Sequence, residues 1–312
     1  MALYVPTNTS SINAQRRLNA ATKSLDTTYQ HLASGLRINS ARDDAAGLQI
    51  SDRLTSQING LKQGNRNAND GIALCQTMEG ALDETTNMLQ RIRTLAIQAA
   101  NGTNTEIDRK SIQQEVEALS QEITRIACKT TFGGQQCLAG TKGLLAPSGK
   151  IVFHVGAYSM DTISLSLSCG FTLSGICGDT VALGTNAITA KTGDDGLKTT
   201  STGLAVVDGF YQFSVITQST AEYTIGTIDQ IINVVDTHRA ALGALQNRME
   251  STIRNQEVTH ENVSDARSRI RDADYAEEAA NLSAQTITQQ AATTVLTQAN
   301  QRPQIALSLL GG

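Results

Sequence analysis

The chain has 312 residues, enough for two or three ordinary domains, yet aromatics make up 4% of it and tryptophan is absent, so a large globular core is not expected. Its 25 basic and 29 acidic residues leave a net charge of −4 with no basic block, which argues against a nucleic-acid partner. No apolar run is long enough to span a bilayer, so no membrane partner is expected. The start, Met1-Ala2-Leu3-Tyr4-Val5-Pro6, lacks the basic residues and apolar stretch of a cleaved signal peptide, which reads as a cytoplasmic protein or one exported without such a signal.

Taken in order, Ser10 to Leu36 predicts an amphipathic helix. Ala14, Leu18, Ala21, Leu25, Thr28 and Leu32 hold a strict heptad, and Gly35 is placed to cap its C-terminal end. Ser40-Ala41-Arg42-Asp43 matches a capping box, with Asp43 and Asp44 placed near the N-terminal dipole of the next helix. That helix, Ile50 to Asn101, dominates the chain. Ile50, Leu54, Ile58, Leu61 and Ala68, then Cys75, Met78, Leu82, Thr85, Leu89, Ile92, Ala96 and Ala99, form one apolar seam without a proline. At 1.5 Å per residue it is roughly 75 Å long, the dimension of a rod. Gly60, Gly64, Gly71 and Gly80 each weaken it by up to about 1 kcal/mol relative to Ala, and are expected to mark close approach of a neighbouring segment.

Asn101-Gly102 is a turn, and Thr105-Glu106-Ile107-Asp108 a second capping box. The third helix carries Ile112, Val116, Leu119, Ile123 and Ile126 on one face, and the short loop predicts that it folds back antiparallel on the long one. Phe132-Gly133-Gly134 is a turn. Ile151 to Val155 and Thr162 to Leu167 read as strands, and from there to about Thr224 the chain is Gly-, Ser- and Thr-rich, β-rich and irregular. Helix returns near Ile225, with Ile228, Ile231, Val235, His238, Leu242, Leu245, Met249 and Ile253 in a seam continued by Val263, Ala266 and Ile270. Beyond Asp272-Ala273-Asp274, a last helix uses Ala276, Ala280, Ala284, Ile287, Ala291 and Val295, runs to about Asn300 and is stopped by Pro303. The fold class is therefore mainly α: a long antiparallel helical rod with terminal coiled-coil helices and a small β-rich insertion.

These residues resemble bacterial flagellin. The resemblance rests on Ala33-Ser34-Gly35-Leu36-Arg37-Ile38-Asn39-Ser40-Ala41-Arg42-Asp43-Asp44-Ala45-Ala46-Gly47-Leu48 and on Leu89-Gln90-Arg91-Ile92-Arg93-Thr94-Leu95-Ala96-Ile97-Gln98. Near the other end stand Ala266-Arg267-Ser268-Arg269-Ile270, Asp272-Ala273-Asp274-Tyr275, Gln289-Gln290-Ala291 and Gln298-Ala299-Asn300-Gln301. It covers about residues 1–140 and 222–312. It implies a filament subunit whose terminal helices pair as a coiled coil lining a central channel, with a surrounding helical tube and an outward insertion. On that reading residues 1–42 and 273–312 form a terminal coiled-coil domain. Residues 43–168 and 222–272 form a helical domain with a β-hairpin, and 169–221 a variable surface insertion. The resemblance further implies unfolded export through a flagellar type III apparatus and an extracellular filament. Its implied partners are other copies, flagellar cap and hook–filament junction proteins, and an export chaperone. Gln90, Arg91, Leu95 and Glu115 match positions at which flagellins are ligands of the flagellin-sensing Toll-like receptor of animals. A hook–filament junction protein, which shares the terminal coiled-coil logic, is the rival within the same class.

An enzyme is not expected. His260-Glu261 is not followed by the second histidine of a zinc-protease helix, and neither a phosphate loop nor a Gly-x-Ser-x-Gly elbow occurs. His238 sits in an apolar seam, where a structural role fits better than a ligand. Asp43/Asp44 and Asp194/Asp195 read as capping and turn residues. No cofactor or metal is expected, since no cysteine pair has zinc-ligand spacing. The five cysteines depart from the family, whose members usually carry none. Cys75 reads as a small buried hydrophobe. Cys128/Cys137 and Cys169/Cys177 bracket short turn-containing segments and are expected to bridge locally, with free thiols and bridges between subunits as alternatives.

Overall fold

The computed structural model describes residues 7–140, 143–144, 149–167, 170–173, 175–176, 190–192, 198–200, 204–207 and 210–310. In chain order the elements are α1 (Thr9–Ser34), α2 (Ala45–Ala100), α3 (Glu106–Lys129), β1 (Thr131–Phe132), β2 (Gln135–Gln136), β3 (Lys150–His154), β4 (Thr162–Ser166), β5 (Ala190–Thr192), β6 (Lys198–Thr200), β7 (Leu204–Val207), β8 (Phe210–Phe213), α4 (Gln218–Arg271) and α5 (Tyr275–Leu310). The chain is mainly α, as its periodicity predicts. It divides into two compact units, Met1–Asn59 with Val258–Gly312, and Gly60–Glu257.

In the terminal unit α1 packs along α5. The α1 seam is the predicted heptad: Ala14, Leu25 and Thr28 are buried, and Leu18, Ala21 and Leu32 half-buried. The helix ends where Gly35 takes φ +70° and its N–H reaches the His31 carbonyl, a left-handed cap that suits glycine. Asp43 closes a turn by accepting from the Ser40 and Asn39 backbone N–H groups, but α2 starts later than the capping-box pattern implies. Asp44 caps it instead, accepting from the N–H groups of Ala46 and Gly47, both at 3.0 Å.

Two expectations for the last helix are corrected. It does not stop at Pro303 but runs to Leu310. Proline removes the N–H that would serve the Ala299 carbonyl, and here the Asn8 Nδ2 on α1 donates to that oxygen at 2.8 Å instead. Its seam is also rotated from the predicted one. The partly buried stripe is Glu278, Leu282, Gln285, Gln289, Ala292 and Leu296, with Ala299 buried. The expected seam, Ala276, Ala280, Ala284, Ile287, Ala291 and Val295, faces outward. Polar ties across the pair select this rotation: Ser11 Oγ donates to Asn300 Oδ1 at 2.7 Å, Thr28 Oγ1 to Gln285 Oε1 at 3.4 Å, and His31 Nδ1 lies 2.8 Å from Glu278 Oε1.

The larger unit is built on the predicted α2 seam, with Cys75, Met78, Leu82, Leu89, Ile92, Ala96 and Ala99 fully buried. Ile112, Val116 and Ile123 of α3 and Ile228, Ile231, Val235, Leu242, Leu245 and Met249 of α4 complete the core. Thr105 and Asp108 form the expected capping box of α3. At the β1–β2 turn, Gly133 and Gly134 take φ +58° and +82°. Strands β3 and β4 form an antiparallel hairpin in which Val152 faces Ser164 and Phe153 faces Ile163. A second antiparallel sheet has the order β5-β6-β7-β8.

Of the four α2 glycines expected to mark close approach, the hairpin and its connecting turn explain two, and α4 together with the hairpin explains a third. A Cβ at Gly60 would lie 2.8 Å from that of Ala157, one at Gly64 would collide with the Val155 carbonyl, and one at Gly71 would lie 2.8 Å from Met249 Cε and 3.2 Å from Phe153 Cδ1. Gly80, expected to mark the same kind of approach, faces open space. Asn67 Nδ2 donates to the His154 carbonyl at 2.8 Å and Gln256 Nε2 to the Val155 carbonyl, so the hairpin edge bonds to helical side chains.

The expected Cys128–Cys137 bridge is not formed, because Cys75, Cys128 and Cys137 are all free thiols. Cys137 is fully buried with its thiol towards the Gln135 carbonyl, whereas Cys128 is half-buried on α3, one step off the buried Ala127. Cys169 and Cys177 lie outside the described residues.

Candidate functional site

Among the four residues that sequence points to, the fold pairs two. The Asn101–Thr105 turn sends α3 back along α2, and the Arg91 Nε and Nη2 atoms donate to Glu115 Oε1 at 2.9 and 2.7 Å. Both side chains are about half exposed, at 57% and 45%, so their pairing is worth about 0–1 kcal/mol and leaves charge available to solvent. Gln90 is exposed beside Arg91. Leu95 is not part of this surface: it is 4% exposed and packed in the core, since it falls on the buried α2 stripe.

Two charge pairs and an amide–carboxylate hydrogen bond also tie α2 to α4. Arg93 Nε donates to Asp229 Oδ1 at 2.7 Å, which raises the guanidinium pKa, first through that hydrogen bond and then through the charge. Arg239 donates to Asp83 at 2.9 Å, and Gln246 Nε2 to Glu79 at 2.9 Å. Sequence reading missed Gln113, a buried polar residue on α3. Its Nε2 donates to the Phe213 carbonyl at 3.0 Å and its Oε1 accepts from the Val215 N–H at 2.7 Å, holding the chain that leaves β8. A glutamine at helical spacing on an otherwise apolar face was the available signal. His238 packs edge-on against Phe171, ring centroids 5.1 Å apart, in keeping with a structural histidine.

The other candidate surface lies on the terminal helix pair. On the terminal pair Ile12, Ile287 and Val295 are 58%, 63% and 55% exposed, and Tyr29 and Tyr275 are similarly open. A groove of about 400 Å³ runs between α1 and α5, lined among others by Ala14, Arg17, Ala291 and Val295. Apart from Arg17 and Asn13 its walls are small side chains, with no acidic or histidine side chain among those lining it. No group of three or more metal-ligating side chains occurs among the described residues, and no helix described is long and apolar enough to cross a membrane.

Comparison with known proteins accounts for this design. Residues 5–143 match the bacterial flagellin N-terminal helical region, and residues 225–310 the bacterial flagellin C-terminal helical region. Flagellin B of Vibrio anguillarum is 39% identical, and flagellin B of Vibrio cholerae 40%, each over the whole of both chains. Among solved structures, Bacillus cereus flagellin is 28% identical with a TM-score of 0.44, covering 61% of this chain and 88% of that one. With both terminal regions matched and full-length relatives at this identity, the chain belongs to the bacterial flagellin family, the structural subunits of the flagellar filament.

Proposed function

We propose that this chain is exported unfolded by a flagellar type III apparatus and polymerises outside the cell through its terminal helix pair. The observation that carries this reading is the apolar stripe of α5, Ala276 to Val295, left facing outward while a parallel stripe packs on α1. Small side chains bury little area, so the pair alone is marginal and gains stability from neighbouring copies. Residues about 1–42 and 273–312 are the inner coiled-coil domain in this reading, and 169–221 the outward insertion that carries any O-linked glycan. Cap and hook–filament junction proteins and an export chaperone are its expected partners. The test is electron microscopy of purified protein, with and without filament seeds, for the full chain and for one ending at Asp274. Filaments from the full chain alone, with the helical core of the truncated chain still folded, support the reading; filaments from the truncated chain refute it.

A second activity is favoured by the exposed Arg91–Glu115 pair. The free subunit, rather than the filament, is a ligand for the flagellin-sensing Toll-like receptor, with Gln90, Arg91 and Glu115 in the contact and Leu95 shaping it from beneath. Arg91→Ala weakens receptor binding by about 1–3 kcal/mol if the guanidinium makes a central charge-assisted contact. Unchanged reporter activation by that variant would remove the contact.

A further inference from the structure

The sequence contains two Asn-Gly steps, Asn59-Gly60 and Asn101-Gly102, and the fold treats them oppositely. Gly60 lies inside α2, where its N–H is committed to the helical ladder and its Cα abuts Ala157. Asn101 and Gly102 lie past the end of α2, and both are exposed. The Gly102 N–H has no hydrogen-bond acceptor among the described residues, and nothing lies within 4 Å of where its Cβ would be. The Asn101 side chain is folded towards the following backbone, with Oδ1 accepting from the Thr103 N–H at 3.4 Å. That contact keeps the side-chain amide turned towards the backbone just beyond Gly102.

We propose that Asn101 is a self-modification site that converts to aspartate and isoaspartate as the protein ages, with water as the only co-reactant. The Gly102 nitrogen, having given its proton to solvent, bonds to Asn101 Cγ; the Cγ–Nδ2 bond breaks and ammonia leaves. The resulting five-membered imide is opened by water at either carbonyl. One water enters, one ammonia departs, and nothing is oxidised or reduced. The product carboxylate appears at the C-terminal end of α2, where the helix dipole disfavours it. Arg109 stands beside it, its Nε donating to the Ala99 carbonyl at 3.0 Å and its Nη2 to the Asn101 carbonyl at 3.4 Å. The modification thus recruits Arg109 away from the helix end that it caps.

The test uses the full chain, incubated for days in mildly alkaline buffer, digested with trypsin and followed by mass spectrometry with isoaspartate-specific methyl transfer. The peptide Thr94–Arg109 reports Asn101, and Leu54–Lys62 reports Asn59 in the same molecule. Asn59 reacts only through local opening of α2, so conversion at Asn101 is expected to run at least about tenfold faster. Gly102→Ala, for which there is room, is expected to suppress the reaction at Asn101 with circular dichroism unchanged. Equal rates at the two steps, an unmodified Asn101, or undiminished conversion in the Gly102→Ala protein would each overturn the proposal.

Discussion

At the scale of single residues, Gly60, Gly64, Gly71 and Gly80 of α2 separate into two kinds. Gly64 is required by the Val155 carbonyl lying against it, whereas Gly80 borders nothing. Gly64→Ala is therefore expected to destabilise the protein by more than the helix-propensity gain returns, and Gly80→Ala to stabilise it by up to about 1 kcal/mol. Urea unfolding of the monomer measures both, and equal effects would show that the hairpin yields. The thiols divide likewise. Burial, reinforced by Glu79, pushes the Cys75 thiol up to about 11, and burial raises that of Cys137. Native protein treated with iodoacetamide at neutral pH is expected to be labelled at the half-exposed Cys128 well before either, with Cys75 reacting only on unfolding.

At the scale of elements, Asn8 does two things. Its Oδ1 caps α1 by accepting from the Ser11 N–H at 3.0 Å, and its Nδ2 serves the carbonyl that Pro303 leaves without a partner. Asn8→Ser keeps a capping oxygen but shortens the donor out of reach. It is expected to cost about 1 kcal/mol at the end of α5, read as faster amide exchange around residues 299–304. In a Pro303→Ala background, where an N–H is restored, the same change should cost little; an undiminished penalty would break the link. This is also where sequence reading met its limit. The α1 heptad, the Thr105 capping box and the α2 seam were legible because one strong local signal set each of them. The rotation of α5 was not, because apolarity alone favours the stripe that faces outward, whereas the packed stripe carries Glu278, Gln285 and Gln289, which meet polar partners on α1, Ser11, Thr28 and His31 among them. Continuation past Pro303 was equally hidden, since the compensating donor lies almost three hundred positions earlier in the chain. On the Arg91–Glu115 face the charged pair was readable from helical pairing, but the inward turn of Leu95 required the packed core.

At the scale of the whole molecule, a turn in one unit and helix α3 in the other lean on ionised carboxylates. The Ser40 and Asn39 N–H groups hold Asp43 below its usual range, the Thr105 hydroxyl and N–H do the same for Asp108, and Arg125 for Glu122. A carboxylate with a depressed folded pKa stabilises fully above its unfolded value and ceases to do so as pH falls through the folded one. Monomer stability is thus expected to hold at neutral pH and decline below about pH 4, the range in which free carboxylates begin to protonate. A urea midpoint that stays constant through that range would show that these contacts do not matter.

The junction between the two ends of the chain carries one more meaning. Leu36 and Asp272 form an isolated antiparallel bridge; the Arg37 N–H donates to the Arg271 carbonyl at 2.7 Å, and the Ala273 N–H to the Gly35 carbonyl at 3.0 Å. The Arg37 guanidinium also covers the Ile270 carbonyl at 2.7 Å. Residues 35–37, just past α1, therefore close the C-terminal end of α4, which begins almost two hundred positions later. A chain cut short by failed translation or proteolysis leaves these donors and acceptors bare and has no second strand for α1. Closure of the junction is therefore a test of length: it needs a chain that reaches at least Ala273, because residues 35–37 and 270–273 must both be present to complete it.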